Sequence, residues 1–278
     1  MKESKNPLVS VCIPAYNNAD YISETIDCIL SQTYQNIELV ICDDNSTDDT
    51  VEVIKKYTDS RIKLFINEKN LGMSGNWNHC LSKCHGEFIK LICADDMLRE
   101  DALEKEVNAL IYHSTALLSE SDTQFRDLSG NTKGSYTRYK KAGLNDGKVI
   151  ARACIFSRNL FGAPLNNTFR RSVLETVKGF DTQFKYILDY DFWMNIATRG
   201  DVYIIHEPLN YFRLRNDSNT GKVLSTEQKA YVEEHKKLLR KYSDVLHISK
   251  LDFNISVMMR KILNFGSGIY LKLFIGNK

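Results

Sequence analysis

LVSVCIPAYNNADYISETIDCILSQTYQNIELVICD (residues 8–43) settles the fold class. Its ends, LVSVCI (8–13) and IELVICD (37–43), are short β-rich apolar runs, the first closed by Pro14. Between them ADYISETIDCILSQ (19–32) repeats Ile22, Ile26, Ile29 and Leu30 at helical spacing, with Asp20 as a start. Strands that are apolar throughout need cover on both faces, so two of them joined by a helix make a parallel pair.

The pattern continues outward. STDDTVEVIKKY (46–57) opens with Ser46 and Asp49 at capping-box spacing and reads as a helix. RIKLFIN (61–67) is a strand, SGNWNHCLSKC (74–84) a helix, GEFIKLIC (86–93) a strand and REDALEKEVNALIYH (99–113) a helix. The class is α/β, with a Rossmann-like, mostly parallel central sheet and flanking helices. The second half is less regular. TALLSESDTQF (115–125) reads as a strand, 149–159 and 189–200 as helices, and VYIIHEPLNYFRL (202–214) as a strand broken by Pro208. Residues 127–147 are polar and turn-rich and read as a mobile excursion. Two helices are expected from Ser225 onward.

The 278 residues carry a net charge of +2 with 43% hydrophobic and 26% charged residues, which argues for a globular protein and against nucleic acid as a partner. Seven cysteines, odd in number and scattered through apolar runs, form no disulfide framework and point to a reducing compartment. Cys80, Cys84 and His85 lack a second ligand pair, so zinc is not expected there. There is no secretion signal and no run near the ~18 apolar residues of a membrane span, so a cytoplasmic location is expected.

Ligands of open α/β sheets bind outside the carboxyl ends of the strands. Pro14-Ala15-Tyr16-Asn17 closes the first strand, Asp43 and Asp44 the second, and Asp95 and Asp96 the fourth. Adjacent carboxylates repel and are costly to bury, unless a divalent cation holds them. Oxygen ligands suit Mg²⁺ or Mn²⁺, whose shell is completed by water and ligand phosphates, so a diphosphate is the expected ligand. The alternative is a turn whose aspartates cap a helix from Arg99, and these residues alone leave both readings open.

Together the motifs are specific. Residues 9–50, VSVCIPAYNNADYISETIDCILSQTYQNIELVICDDNSTDDT, resemble the N-terminal half of the nucleotide-binding domain of family 2 glycosyltransferases. NLGMSGNWNHCLSKCHGEFIKLICADDML (70–98) resembles its second half, and GFDTQFKYILDYDFWMNIATRG (179–200) its later acidic segment. The likeness runs from about Val9 to Arg215. It implies the GT-A fold over residues 1–215, with nucleotide-sugar binding in about 1–98 and an acceptor side in about 99–215, then a C-terminal helical extension over 216–278. It also implies inverting transfer of a hexosyl or N-acetylhexosaminyl group from a nucleotide-diphosphate donor to an acceptor hydroxyl, with Mn²⁺ or Mg²⁺. A role in polysaccharide or lipid-linked glycan synthesis follows, with UDP-sugars the favoured donors and a saccharide or lipid-linked acceptor.

The resemblance assigns roles residue by residue. Pro14, Ala15 and Tyr16, with Asn17, wrap the nucleobase, which Asp43 hydrogen-bonds; Asn70 and Gly72 line the nucleoside. Asp95 contacts the ribose and helps hold the metal, and Asp96 coordinates it. Cys93 stands where the family commonly has a further aspartate and is expected to pack rather than ligate. Asp189 is the expected base and Asp191 the second candidate; Leu188 replaces the usual glutamate. A plainer role for Asp189 is to cap a helix from Tyr190. Arg213 and Arg215 are expected on a loop closing over the diphosphate, or else as exposed strand-end charges. Trp77 reads as a packing residue and His206 as a satisfied, partly buried one.

The tail ILNFGSGIYLKLFIGNK (262–278), preceded by Lys236, Lys237, Arg240 and Lys241, suits either a membrane surface or packing on the domain or on the second copy of a homodimer. Other functions fit less well. An oxidoreductase on this sheet would need G-x-G-x-x-G after the first strand, where PAYNNAD has no glycine. A receiver-type Mg²⁺ module leaves LDYDFW and YFRLR unexplained. The departures at Cys93 and Leu188 keep open a degenerate nucleotide-binding module without transfer activity.

Overall fold

The computed structural model describes residues 6–214 and 227–274, with side chains as far as Asn264. Strands β1 (Val9–Ala15), β2 (Ile37–Asp43), β3 (Ile62–Ile66) and β4 (Phe88–Leu91) run parallel in the order β3-β2-β1-β4. They are linked by α1 (Ile22–Leu30), α2 (Thr50–Lys55) and α3 (Gly72–Ser82). Next come β5 (Met97–Leu98), α4 (Ala102–Tyr112), β6 (Ala116–Arg126), β7 (Thr132–Tyr136), β8 (Gly143–Asn145) and α5 (Gly147–Ile155). The chain continues with β9 (Asn167–Arg170), α6 (Leu174–Val177), α7 (Leu188–Ala197), β10 (Asp201–Arg213), α8 (Gln228–Lys241) and α9 (Lys250–Phe274). The sheet extends from β4 through β9, β6 and β10 to β5, with β9 antiparallel to both neighbours and β6 parallel to β10.

β1 is buried at every position because both faces of the sheet are covered. Val9, Val11 and Ile13 pack with residues of α1 and α4. Cys12, Val40 and Cys42 pack on the other face with Cys80 and Cys84, where α3, α5, α7 and α8 close the core. These thiols are free and serve as small apolar groups. Among the described residues, no helix is long and apolar enough to cross a membrane. Residues 275–278 of the tail, and its side chains from 265 on, lie outside the described residues.

Several local expectations are corrected. Pro14 does not close β1 but lies inside it, paired with Cys42. Pairing to β4 stops at Cys12, so no ladder partner awaits the missing N–H. Pro208 does not break β10; it shifts the register against β6. Ser46 and Asp49 form no capping box, since the Ser46 hydroxyl turns to Asp43 instead. The excursion over 127–147 is partly ordered as β7 on β6 and β8 on β10. No helix starts at Arg99: β5 intervenes and α4 begins at Ala102, so Asp95 and Asp96 cap nothing there.

One buried ion pair ties the halves of the sheet together. Lys90 of β4 and Glu106 of α4, both fully buried, meet at 2.6 Å. Lys90 also donates to Asn210 at 3.2 Å, and Glu106 accepts from Ser121 and Thr168, each at 2.6 Å. Burial pulls the ammonium below its usual range and Glu106 opposes that. Lys90→Met strands the carboxylate, so a loss of about 3–5 kcal/mol is expected in urea unfolding. An unchanged midpoint would contradict this role.

Candidate active site

The carboxyl ends of β1, β2 and β4 lie side by side, and their loops interlock. Asp44 N–H donates to Ala15 O at 2.8 Å. Asn17, in the left-handed region at φ 51°, receives Thr47 N–H on its side chain at 2.8 Å and donates its own N–H to Ser46 Oγ at 2.9 Å. Ala15 thus ends β1 beneath the loop, with Pro14 buried in the strand before it, while Tyr16 is 47% exposed above it. Asp43 is fully buried and accepts both Ser46 N–H and Ser46 Oγ–H, at 2.8 and 2.5 Å.

Asp44 organises the neighbouring loop. It accepts Asn67 Nδ2 at 2.8 Å, Leu71 N–H at 2.8 Å and Gly72 N–H at 3.0 Å. Gly72 stands at φ 74°, with open space beside its α-carbon, and its N–H also reaches Asn70 Oδ1 at 2.9 Å. A shallow cavity of ≈ 420 Å³ adjoins this loop, lined by Ile66, Asn67, Glu68, Lys69, Leu71 and His79. The larger cavity, ≈ 540 Å³, opens at the other end of β4, beside Glu87, Arg170 and Arg171. Those arginines are committed to the carbonyls of Ala116, Leu110 and Gly86, so the site is not placed there.

Asp95 and Asp96 sit in the turn between β4 and β5. The Thr25 hydroxyl meets the Ala94 and Asp96 carbonyls at 3.1 and 2.9 Å, which fixes the turn against α1. Ligand atoms of Cys93, Asp95 and Asp96 all lie within 4.8 Å of one another, a spacing that fits one cation. Cys93 does pack against the core, as expected, but its sulfur also lies within this group. Burial, then the charges of Asp96, Asp95 and Asp189, push its thiol well above the usual range. Asp189 therefore belongs to the same locality as the acidic turn.

Asp189 occupies the first turn of α7, which starts at Leu188 rather than Tyr190, and accepts Tyr190 N–H at 2.8 Å. Burial raises its carboxyl to about 6, against the opposing pull of that N–H and of Arg138. Arg138, between β7 and β8, was not expected at the site; it lies 5.0 Å over the Tyr136 ring and donates to Asn159 O at 3.4 Å. Asp191 corrects the sequence reading. Its side chain, 1% exposed, turns to Lys241 Nζ at 2.8 Å and Tyr242 Oη at 3.0 Å, because one residue pair along a helix does not share a face.

Arg213 is a second correction. It lies in β10, 6% exposed, with Nε on Asp95 O at 2.9 Å, Nη2 on Glu24 at 2.7 Å and its own N–H on Asp96 Oδ1 at 3.2 Å. It braces the acidic turn from below instead of closing over it. Arg215 lies outside the described residues. His206 is exposed on β10 rather than partly buried, though its ring does find a partner in Tyr139 O at 2.8 Å, and Trp77 packs edge-on against Phe180.

A family model described as Glycosyl transferase family 2 matches residues 10–178. An uncharacterized glycosyltransferase of Haemophilus influenzae is 30% identical over 260 residues, covering 91% of this chain and 78% of that protein. S. aureus TarS 1-349 in complex with UDP-GlcNAc aligns with a TM-score of 0.68 at 18% identity, over 91% of this chain and 70% of that one. The mannosyltransferase PcManGT from Pyrobaculum calidifontis, in complex with GDP-Man and Mn²⁺, aligns at 0.65 and 18% identity, over 97% and 81%. At that identity the two structures speak to the fold, which is GT-A.

Proposed function

The chain belongs to glycosyl transferase family 2 and has the GT-A fold of a glycosyltransferase, and on that premise we propose that it inverts the anomeric centre of a UDP-linked sugar as it passes the sugar to an acceptor hydroxyl. One observation carries this reading: the ligand atoms of Cys93, Asp95 and Asp96 lie within 4.8 Å of one another at the carboxyl end of β4, and the half-buried Asp189, from a distant part of the chain, is near enough to act on the same thiol. That arrangement supports a reading in which a cation-held diphosphate sits at the turn with a separate carboxylate nearby. A UDP donor is favoured because a protein of the same fold, TarS, is solved with UDP-GlcNAc. The acceptor class we assign is a saccharide or lipid-linked glycan.

Asp96, assisted by Asp95, would hold a Mn²⁺ or Mg²⁺ ion, which when bound neutralises charge on the departing diphosphate. Mn²⁺ is the ion named with PcManGT. The chain's own groups do the rest. Tyr16, Asn17, Asn70 and Gly72 would border the nucleoside, while Asp43, fully buried on Ser46, holds the loop beneath Tyr16 and Asn17, and Asp44 holds the loop that carries Asn70 and Gly72. Asp189, ionised above its raised pKa of about 6, takes the proton of the attacking hydroxyl. The new bond forms at the anomeric carbon on the face opposite the diphosphate, and the old C–O electron pair leaves with the diphosphate.

The test uses UDP-glucose and UDP-N-acetylglucosamine with water or simple glycosides as acceptors. UDP release is followed, and the first-formed anomer is read by proton NMR before it equilibrates. The α-linked donors should give β products. A first-formed α product would overturn inversion.

A further inference from the structure

The helix that carries Asp189 has no cap of its own: Ile187 stands at its N-cap and offers no side-chain acceptor. The missing acceptor comes from far along the chain. Glu234 of α8 receives Lys185 N–H on one carboxylate oxygen at 2.9 Å, and Tyr186 and Ile187 N–H on the other at 2.8 and 3.2 Å. The residue is 9% exposed, so this carboxylate is desolvated and held by the three N–H groups at the positive end of α7. The same helix grips α7 beyond Asp189 as well. The His235 ring lies parallel to that of Tyr190, 6.5 Å apart and tilted 18°. Lys241 and Tyr242 hold the Asp191 side chain. Asp189 is therefore fixed from both sides by a segment that lies beyond the residues matched by the family model, 10–178.

We propose that Glu234 is a positioning residue for transfer: its carboxylate sets the first turn of α7 so that Asp189 faces the acidic turn of Asp95 and Asp96. This rests on the reading of Asp189 as base. A base displaced by about 1 Å loses on the order of 100-fold in rate, while a nucleotide site built on other loops is untouched. Glu234 would then act on kcat and not on donor binding.

The test is Glu234→Ala and Glu234→Gln in the full chain, with UDP-N-acetylglucosamine as donor and water as acceptor. Turnover is normalised to the fraction of protein that binds UDP, which removes any unfolded material. The expected result is kcat lower by about 100-fold in the Ala variant, with KM and UDP affinity within about twofold of wild type. The Gln variant keeps one carbonyl acceptor and should fall between the two. Should Glu234→Ala fail to bind UDP at all, the Gln variant decides alone, by a kcat loss of about tenfold at unchanged UDP affinity. Wild-type kcat in either folded variant overturns the proposal, as does a change in UDP affinity that accounts for the whole loss. Asp189→Asn runs alongside. Its inactivity with a fully active Glu234→Ala removes only the positioning role, whereas full activity of Asp189→Asn removes the base and this inference with it.

Discussion

Asp189→Asn should lose transfer by about 10²–10⁴-fold, the usual worth of a positioned base, while binding UDP as tightly as wild type. The amide can still accept Tyr190 N–H, so the first turn of α7 keeps its local bond. The wild-type rate should fall below pH about 6, where the half-buried carboxyl takes up its proton. The same shift has a consequence for stability. Folding raises this carboxyl from 3.8 to about 6, so the folded state binds the proton more tightly. Stability from this group is full below the lower value and is lost as pH rises through the upper one. The Asn variant has no such loss, and above pH about 6 it should melt at or above the wild-type temperature. Retained transfer in Asp189→Asn, measured as UDP release, would remove the base from this position.

Asp96→Ala should abolish Mn²⁺-dependent nucleotide binding. Substitutions that merely orient a metal ligand cost 10–100-fold, so losing a ligand should cost at least about 100-fold. Asp96 Oδ1 also accepts Arg213 N–H at 3.2 Å, so Asp96→Ala removes a structural bond too. Asp96→Asn keeps an oxygen for that bond but lacks the charge, and it should fail almost as badly. The free Mn²⁺ signal in electron paramagnetic resonance, recorded with UDP present, reports the loss directly. An Asn variant that sequesters Mn²⁺ as wild type does would place the ion elsewhere.

The parallel half of the sheet was legible because burial on both faces writes a continuous apolar run, and the crossing helices write a different period. The strands that were missed carry no such signal. β7, TKGSY, is exposed over its first four residues and has nothing apolar to show. β9, NTFR, is mostly buried yet polar, because Thr168 serves the buried Lys90–Glu106 network while Asn167 donates to the carbonyls of Phe161 and Ala163. At the site, the adjacency of Asp95 and Asp96 announced itself at a strand end. The pair Asp43 and Asp44 did so only in part. Their adjacency could not say that Asp44 turns to the 67–72 loop while Asp43 stays with Ser46. Arg213 was misjudged because only the pairing of β10 sets which way its side chain points. Glu234 left no trace, since its partners lie 47 to 49 residues away.

The most direct test of a diphosphate and metal site at the acidic turn is calorimetric titration of UDP, GDP and dTDP into the protein, first with Mn²⁺ and then with EDTA. The account predicts that UDP binds with Mn²⁺ and that EDTA abolishes the binding. UDP affinity that is equal with and without the ion, or binding of none of the three nucleotides, would contradict it.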